Sequence, residues 1–153
     1  MAFRGQHEHS LDSKDRVTVP ARLRAALAEG IVLSAGLDPC VDVYPTAAYR
    51  RLEERYLENL GPMTQASRRL RRRFYSSSVE AELDSAGRIR LPRHLIAHGG
   101  LDGPCVVVGA GDHLEIWSAG AWEPEREEFE AKASELAESL ENGSGGGEDA
   151  GRR

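Results

Sequence analysis

The chain has 153 residues and 40% hydrophobic content, enough for one compact domain or two small intertwined halves, and its apolar runs are too short to cross a bilayer. Its formal net charge of −5 argues at first against a nucleic-acid partner. However, residues 123 to 141 hold eight acidic and two basic side chains, whereas residues 1 to 122 hold 15 acidic and 16 basic ones. The acidity therefore lies in one C-terminal segment, and the remainder can carry basic patches.

The first ten residues are polar and contain no apolar signal-peptide core, so a cytoplasmic location is expected. Here His7 and His9 would share one face of a strand, but two ligands are too few for a metal site. Cys40 and Cys105 form no CxxC pair and are interpreted as buried, reduced thiols. No catalytic set, metal site or cofactor motif is predicted, so the sequence does not indicate an enzyme.

The first structural unit is predicted from residues 11 to 23, LDSKDRVTVPARL. Residues 12 to 15 favour a turn, because Asp and Ser side chains bond nearby backbone N–H groups. Residues 16 to 19 alternate between polar and apolar, which indicates a half-buried strand ended by proline. A short helix is expected over residues 21 to 29, before Gly30 ends it.

Two further strands and a helix complete the first half. Residues 31 to 33 and 41 to 44 are predicted strands joined by a turn. A helix is predicted over residues 47 to 60 from its helical spacing of apolar residues. The stripe that it should bury consists of Leu52, Tyr56 and Leu60.

The segment from residue 62 to residue 78 is the most basic stretch, with five arginines between positions 68 and 73. One interpretation is a helix that contacts nucleic acid. The other is a solvated helix face, paired in part with the acidic C-terminal helix of the same or a neighbouring chain. Leu70 and Phe74, at i and i+4, favour a helix that packs against something. Both interpretations stay open.

An internal repeat organises the second half. Residues 83 to 95, LDSAGRIRLPRHL, repeat residues 11 to 23 at an offset of 72 with no gap. Strands are again predicted at residues 106 to 108 and 114 to 117, and a helix at residues 122 to 140. The inward-facing side of that helix is predicted to consist of Phe129, Ala133, Leu136 and Leu140.

Two long copies predict two halves related by a pseudo-two-fold axis rather than a solenoid. The chain then divides into a first half-repeat (residues 1 to 61) and a basic connecting helix (62 to 78). A second half-repeat with an acidic C-terminal helix follows (79 to 141). The Gly-rich composition of residues 142 to 153 predicts a disordered tail.

Over roughly residues 3 to 125, the chain resembles the MraZ family of transcriptional regulators. The motifs that carry the resemblance are FRGQHEHSLDSKDRVTVPARLR, AELDSAGRIRLP and VVVGAGDHLEIWSAGAW. It implies an α+β, mainly β fold in which two pseudo-symmetric halves form a double-psi-type β-barrel of the AbrB/SpoVT-like kind, with flanking helices. It also implies a ring-like homo-oligomer, in the cytoplasm and associated with the nucleoid. Such oligomers bind short direct repeats in double-stranded DNA upstream of their own operon, the division and cell-wall gene cluster, without a membrane partner.

Carried over residue by residue, the resemblance places the DNA-facing surface at the two DxxxR motifs. Arg16 is expected to read guanine O6 and N7, while Arg88 and Arg90 form a second, equivalent surface. The DNA-binding candidates are Lys14, Arg16, Arg22, Arg24, Arg88 and Arg90. The residues expected to support the turns are Asp12, Ser13, Asp15, Asp84, Ser85 and Gly87.

Two alternatives accompany this hypothesis. Arg16 and Arg88 can instead form ion pairs with Asp12 and Asp84 that rigidify the turns, a role compatible with DNA reading because a clamped arginine is preorganised. The chain can also be a protein-interaction or oligomeric scaffold module with only secondary DNA binding. Asp15 stands where the family has glycine, so it must adopt left-handed geometry at some cost.

Overall fold

The structure is a computed structural model that describes residues 2–150, with residues 144–150 described by their backbone alone. It is an α+β fold built mostly from antiparallel strands. The strands are β1 (Gln6–Ser10), β2 (Arg16–Thr18), β3 (Ile31–Ala35), β4 (Cys40–Pro45), β5 (Val79–Ala81), β6 (Arg88–Arg90), β7 (Pro104–Gly109) and β8 (Leu114–Ser118). The α-helices are α1 (Thr46–Leu52), α2 (Gln65–Ser77), α3 (Arg93–Gly99) and α4 (Ala119–Ala150).

The two halves exchange strands. Six strands form one antiparallel sheet in the order β1-β7-β8-β4-β3-β5, and β2 pairs with β6 in a separate two-stranded ribbon. The first strand of each half, β1 or β5, pairs with the hairpin of the other half. This exchange relates the halves as the predicted pseudo-two-fold requires. The strands described over residues 2–150 do not close into a barrel, so the α+β class is confirmed but the double-psi barrel is not observed.

One hydrophobic cluster joins the ribbon to the sheet. Val17 and Ile89 lie opposite each other in the ribbon, are 0% and 1% exposed, and belong to the same cluster as Leu33 of β3. Removal of these side chains from water is the main force that holds the ribbon in place. Cys40 and Cys105 are free and buried, as predicted.

The two copies of the repeat differ after the ribbon strand. The second copy forms α3, which ends at Gly100 with a φ of 58°. The helix predicted over residues 21 to 29 is wrong, because the backbone forms two 3-10 turns, Ala21–Leu23 and Ala25–Leu27. So short a segment gains little from helix propensity, and the burial of its leucines decides its path.

A π-helical turn shifts the register of the first-half helix. After α1 the chain continues through Glu53–Leu57, where Glu58 N–H donates to the Glu53 carbonyl, an i→i+5 bond of 2.8 Å. The wider turn rotates the residues that follow it. Leu57 is therefore 1% exposed and Tyr56 60% exposed, so the predicted stripe is wrong at Tyr56.

The chain divides into two compact units at Gly120. Within the second unit, the rings of Trp122 and Phe129 lie 5.7 Å apart between centroids. The inward stripe predicted beyond Phe129 is wrong, because Leu136 and Leu140 are 50% and 77% exposed, and the described residues of this unit form no second element beside α4. Ala133 is exposed as well.

The helix α4 runs to Ala150, into the segment for which the sequence predicts a disordered tail, and residues 151 to 153 lie outside the described residues. The division of the chain into four segments stays a prediction. Within the described part of the chain, every helix is too short or too polar to span a lipid bilayer.

Candidate nucleic-acid interface

Each DxxxR motif folds into the same tight turn before a ribbon strand. In the first copy, Asp12 N–H donates to the Arg16 carbonyl at 2.9 Å, and Asp15 N–H donates to the Asp12 carbonyl at 3.1 Å. The second copy makes the equivalent bonds at 3.0 and 2.9 Å. The last turn residue has a positive φ in both copies, 60° at Asp15 and 74° at Gly87. Asp15 thus adopts the left-handed conformation expected of it.

The aspartate that begins each turn organises it. Asp12 Oδ1 accepts from the N–H groups of Lys14 and Arg16 at 2.8 and 2.9 Å, and Oδ2 accepts from Arg16 Nε at 2.8 Å. In the second copy, Arg88 Nε donates to Asp84 Oδ2 at 2.8 Å. The predicted ion pairs are therefore present in both copies.

These bonds hold both carboxylates in the charged form. Desolvation acts to raise the pKa of Asp12, but the bonds from Arg16 and Lys14 outweigh it and the pKa falls below its ordinary value. The N–H of Arg88, together with its guanidinium, likewise lowers the pKa of Asp84. At neutral pH each turn therefore contains a clamp, an ion pair in which a charged aspartate holds the arginine: Asp12 with Arg16 and Asp84 with Arg88.

Each guanidinium uses only its Nε side. The Nη atoms of Arg16 and Arg88 make no hydrogen bond to any residue within the described range, and the two side chains are 23% and 33% exposed. Each arginine thus combines a fixed orientation with N–H donors that remain available. Bidentate recognition of a base edge or a phosphate needs this combination.

The ribbon brings both motifs onto one surface. β2 and β6 are antiparallel, with Arg16 opposite Arg90 and Thr18 opposite Arg88. The residue between them on each strand points into the core, so these four side chains lie on the outward face. The second, equivalent surface expected for Arg88 and Arg90 therefore adjoins that of Arg16 on the same ribbon, and its role in DNA binding stays a prediction.

Each turn is also bonded to the other half of the chain. Val19 N–H donates to the Gly87 carbonyl at 2.8 Å, and Leu91 N–H donates to the Asp15 carbonyl at 2.8 Å. These bonds extend the pairing of the ribbon into both turns. The position of each motif therefore depends on the other motif, and the pair forms one unit.

The remaining predicted cations differ in their surroundings. Lys14 is exposed in the first turn. Arg22 is also exposed, and its Nη2 lies 3.2 Å from His7 Nε2. Arg24 is partly buried, and its Nε donates to the Val19 carbonyl at 2.9 Å. Lys14 and Arg22 therefore present their charges to solvent, whereas Arg24 is bonded to the ribbon.

Arg24 also explains the difference between the two turns. A Cβ at position 87 would collide with the Arg24 guanidinium and displace it, so this contact favours Gly87 in addition to its positive φ. Ile96 has the repeat position of Arg24 and packs against the core instead. Asp15 is therefore tolerated where the second copy needs glycine. Ser13 and Ser85 are exposed in their turns.

Most arginines of α2 have structural partners. Arg73 donates to the carbonyls of Ala35 and Gly36, at 3.2 and 2.6 Å. Arg68 and Arg71 likewise donate to backbone carbonyls, at 2.7 and 3.0 Å. Within the described residues, Arg69 and Arg72 are exposed and have no hydrogen-bond or ion-pair partner. Their guanidinium groups are therefore the ones on α2 with every N–H donor left to solvent.

Sequence reasoning missed the pairing of the two motifs and the role of Arg24. Strand pairing between segments 72 residues apart leaves no local pattern. The available signal was the repeat itself, because a short alternating segment that occurs twice around a pseudo-two-fold axis can pair with its own copy.

Comparisons with known proteins agree with the duplicated architecture. A family model described as "MraZ protein, putative antitoxin-like" matches residues 2–73 and again residues 74–142. A protein of Heliobacterium modesticaldum, named "Transcriptional regulator MraZ", is 42% identical over 90% of this chain and 96% of its own length. Proteins of the same name from Symbiobacterium thermophilum and Caldanaerobacter subterraneus subsp. tengcongensis are 38% and 39% identical. These cover 89% and 90% of this chain and 98% and 96% of their own lengths.

Proposed function

The chain belongs to the MraZ family, and on this basis we propose that it is a transcriptional regulator that binds double-stranded DNA sequence-specifically. The family is one of transcriptional regulators and not of enzymes. The proposed target is a set of short direct repeats upstream of its own operon, the division and cell-wall gene cluster. The proposed location is the cytoplasm, in association with the nucleoid.

One observation carries the proposal: two clamped arginines project from one face of a two-stranded ribbon with their Nη atoms available. The major groove of B-DNA, about 12 Å wide, accepts a two-stranded β-ribbon. An arginine held through Nε presents its remaining donors without further ordering, so less side-chain entropy is lost on binding. Arg16 and Arg88 are therefore the proposed base readers.

The other cations surround these readers. Arg90 lies beside Arg16 on the ribbon face, and Lys14 is at the tip of the first turn. We assign them, with the exposed Arg22, to the phosphate backbone, which fixes the register of the protein on DNA without reading sequence. Arg24 holds the ribbon from the side of Gly87.

Assembly compensates for weak binding by each subunit. Residues 1 to 122 are nearly neutral, so one copy gains little from counterion release. In the proposed ring-like homo-oligomer, neighbouring ribbons meet successive repeats, and such linkage can raise the apparent affinity by about 10² to 10⁴. Promoter fragments with one, two or three repeats should therefore bind with increasing affinity, whereas equal affinity would contradict the avidity argument.

The proposed fold is the double-psi-type arrangement of the AbrB/SpoVT-like regulators. Its support is the exchange of β1 and β5 between the halves, with the ribbon of β2 and β6 packed on the same core. An experimental structure of the oligomer would test whether the sheet and the ribbon close into a barrel in the assembled protein.

The experiment that tests the function is DNase footprinting upstream of the protein's own gene. The wild type should protect the repeated sequences, and Arg16→Ala should abolish protection while the oligomer stays intact. Arg50→Ala is the matched control, because Arg50 is an exposed arginine of α1, away from the ribbon, that forms an ion pair with Glu54. Protection by Arg16→Ala equal to that of wild type would place the binding site elsewhere.

The scaffold alternative has one observation in its favour. The acidic helix α4 exposes Leu136 and Leu140, at 50% and 77%, and apolar side chains on an exposed helix favour a protein partner. The salt dependence of the binding affinity distinguishes the two functions, because binding to DNA weakens steeply as the salt concentration rises. Salt-insensitive association with no preference for the upstream region would favour the scaffold.

A further inference from the structure

Four side chains of metal-ligating types lie on or next to the two central strands of the sheet. β4 carries Cys40 and Asp42 at alternate positions, and β8 carries Glu115, with His113 immediately before the strand. Asp42 lies directly opposite Glu115 in the strand register. The offset is 73 residues both from Cys40 to His113 and from Asp42 to Glu115. The pseudo-two-fold axis therefore relates a Cys-x-Asp pair to a His-x-Glu pair.

The ligand atoms are close to one another. One ligand atom each from Cys40, Asp42 and Glu115 lie within 4.8 Å of one another, with Cys40 Sγ 3.6 Å from Asp42 Oδ1. His113 Nε2 lies 3.2 Å from Glu115 Oε2 and 3.8 Å from Asp42 Oδ1. Ligand atoms bound at about 2.0–2.3 Å to one tetrahedral ion are about 3.3–3.8 Å apart. Small side-chain shifts therefore bring these atoms around a common centre.

The cluster is largely shielded from water and carries excess negative charge. Cys40 is 1% exposed, and the side chains of Asp42 and Glu115 are 15% and 23% exposed. Asp112 Oδ1 also contacts His113, at 2.6 Å, so three carboxylates surround one imidazole. Two carboxylates directly opposite each other in a sheet repel. A divalent cation would remove that repulsion.

Neighbouring aromatic residues hold the cluster in position. Trp117 Nε1 donates to Glu115 Oε1 at 3.0 Å, and the ring of Tyr44 stacks on His113 with centroids 4.3 Å apart. Residues that orient ligands from behind in this way are a regular part of metal sites. Glu115 Oε1 is occupied by this bond, and Oε2 is the oxygen that contacts His113.

We propose that this cluster binds one zinc ion per chain, with Cys40, Asp42 and Glu115 as ligands and His113 as the fourth. Thiolate and imidazole beside carboxylates favour zinc over magnesium or calcium, which prefer oxygen ligands alone. β4 belongs to the first half and β8 to the second, so the ion would link the two halves across the centre of the sheet. The proposal is independent of the DNA-binding function.

The first test uses cobalt as a spectroscopic probe. The full-length protein, reduced and freed of metal with a chelator, should develop a thiolate-to-cobalt charge-transfer band that saturates at one equivalent of Co²⁺ and disappears when Zn²⁺ is added. Cys40→Ser should lose the band and Cys105→Ser should keep it, because Cys105 is the other free, buried cysteine but lies outside the cluster. Absence of the band from wild type, or its retention in Cys40→Ser, would overturn the proposal.

The second test does not depend on the folding of a cysteine variant. Zinc affinity is measured by competition with a chromophoric chelator for wild type, Glu115→Gln and His9→Gln. Glu115→Gln should bind zinc more weakly by about tenfold or more, because removal of a direct ligand affects affinity at least as much as removal of an outer-shell partner. His9→Gln, at a histidine of β1 that the cluster does not include, should match wild type. Equal affinity of Glu115→Gln and wild type would contradict the assignment.

Discussion

Arg16 Nε lies 2.8 Å from Asp12 Oδ2, while Asp12 Oδ1 accepts two backbone N–H groups of the same turn. The carboxylate therefore fixes the backbone of the turn and the direction of the arginine at the same time. A side chain fixed in this way keeps its charge and its Nη donors but has lost most of its freedom before binding. Asp12 therefore has two opposing effects on DNA binding. Its negative charge lowers the net positive charge of the ribbon, whereas its hydrogen bonds order Arg16 before DNA is bound.

Asp12→Asn tests that separation. The amide oxygen can still accept from the backbone, but the ion pair with Arg16 is lost. Because a negative charge is removed, binding to random DNA should stay equal or become stronger. Binding to the upstream repeats should weaken, so the affinity for the repeats divided by the affinity for random DNA should fall. Both dissociation constants can be measured by fluorescence anisotropy, with Asp102→Asn as the control at an exposed aspartate outside the ribbon. An increase in both affinities would show that Asp12 contributes only charge.

The clamps also predict how stability depends on pH. The pKa values of Asp12 and Asp84 are lowered in the folded protein, so their stabilisation is present above the ordinary carboxyl pKa, about 3.9, and is lost as the pH falls through the folded-state values. The urea midpoint of wild type should therefore fall below about pH 4. The double variant Asp12→Asn/Asp84→Asn should lose less stability over that interval. Identical pH profiles would show that the clamps do not contribute to folding.

The two turns should respond oppositely to substitution at their last residue. Gly87→Ala adds left-handed strain and displaces Arg24 from its bond to the Val19 carbonyl, so it should destabilise the protein by about 1–3 kcal/mol. Asp15→Gly relieves about 1–2 kcal/mol of left-handed strain but adds about 0.5–1 kcal/mol of chain entropy. Its effect should be neutral or slightly stabilising. Urea unfolding measures the stability of both variants. A large destabilisation by Asp15→Gly would contradict the explanation that only the second turn favours glycine, through its contact with Arg24.

The sequence predicted those features whose cause is local. The turn bonds of Asp12 and Asp84 follow from residue types within five positions, and the repeat predicted the pseudo-two-fold axis. The pairing of Arg16 with Arg90 has no local signal, because it joins segments far apart in the chain, and only the repeat could have indicated it. For the same reason the sequence does not indicate the contact of Arg24 with the opposite turn, and it predicts only that Arg24 contacts phosphate or supports the surface electrostatically.

The first-half helix shows a further limit. Ideal spacing predicted Tyr56 as a buried residue, but one π-helical turn moves Leu57 into its place. Leu57→Ala should therefore cost about 2–5 kcal/mol of unfolding free energy. Tyr56→Ala should change it by no more than about 0.5 kcal/mol. Urea unfolding of both variants tests the register of this helix. A larger loss of unfolding free energy in Tyr56→Ala than in Leu57→Ala would indicate an uninterrupted α-helix instead.

The central claim is that Arg16 recognises a base through the geometry of its guanidinium and not only through its charge. Arg16→Lys keeps the charge but loses the planar fork, and Arg50→Lys on α1 is the matched control. The decisive quantity is the ratio of dissociation constants for random DNA and for the upstream repeats, measured at one salt concentration. We predict that Arg16→Lys lowers this ratio by an amount equivalent to about 1–3 kcal/mol, with binding to random DNA and the control unchanged. A ratio equal to that of wild type would contradict the claim.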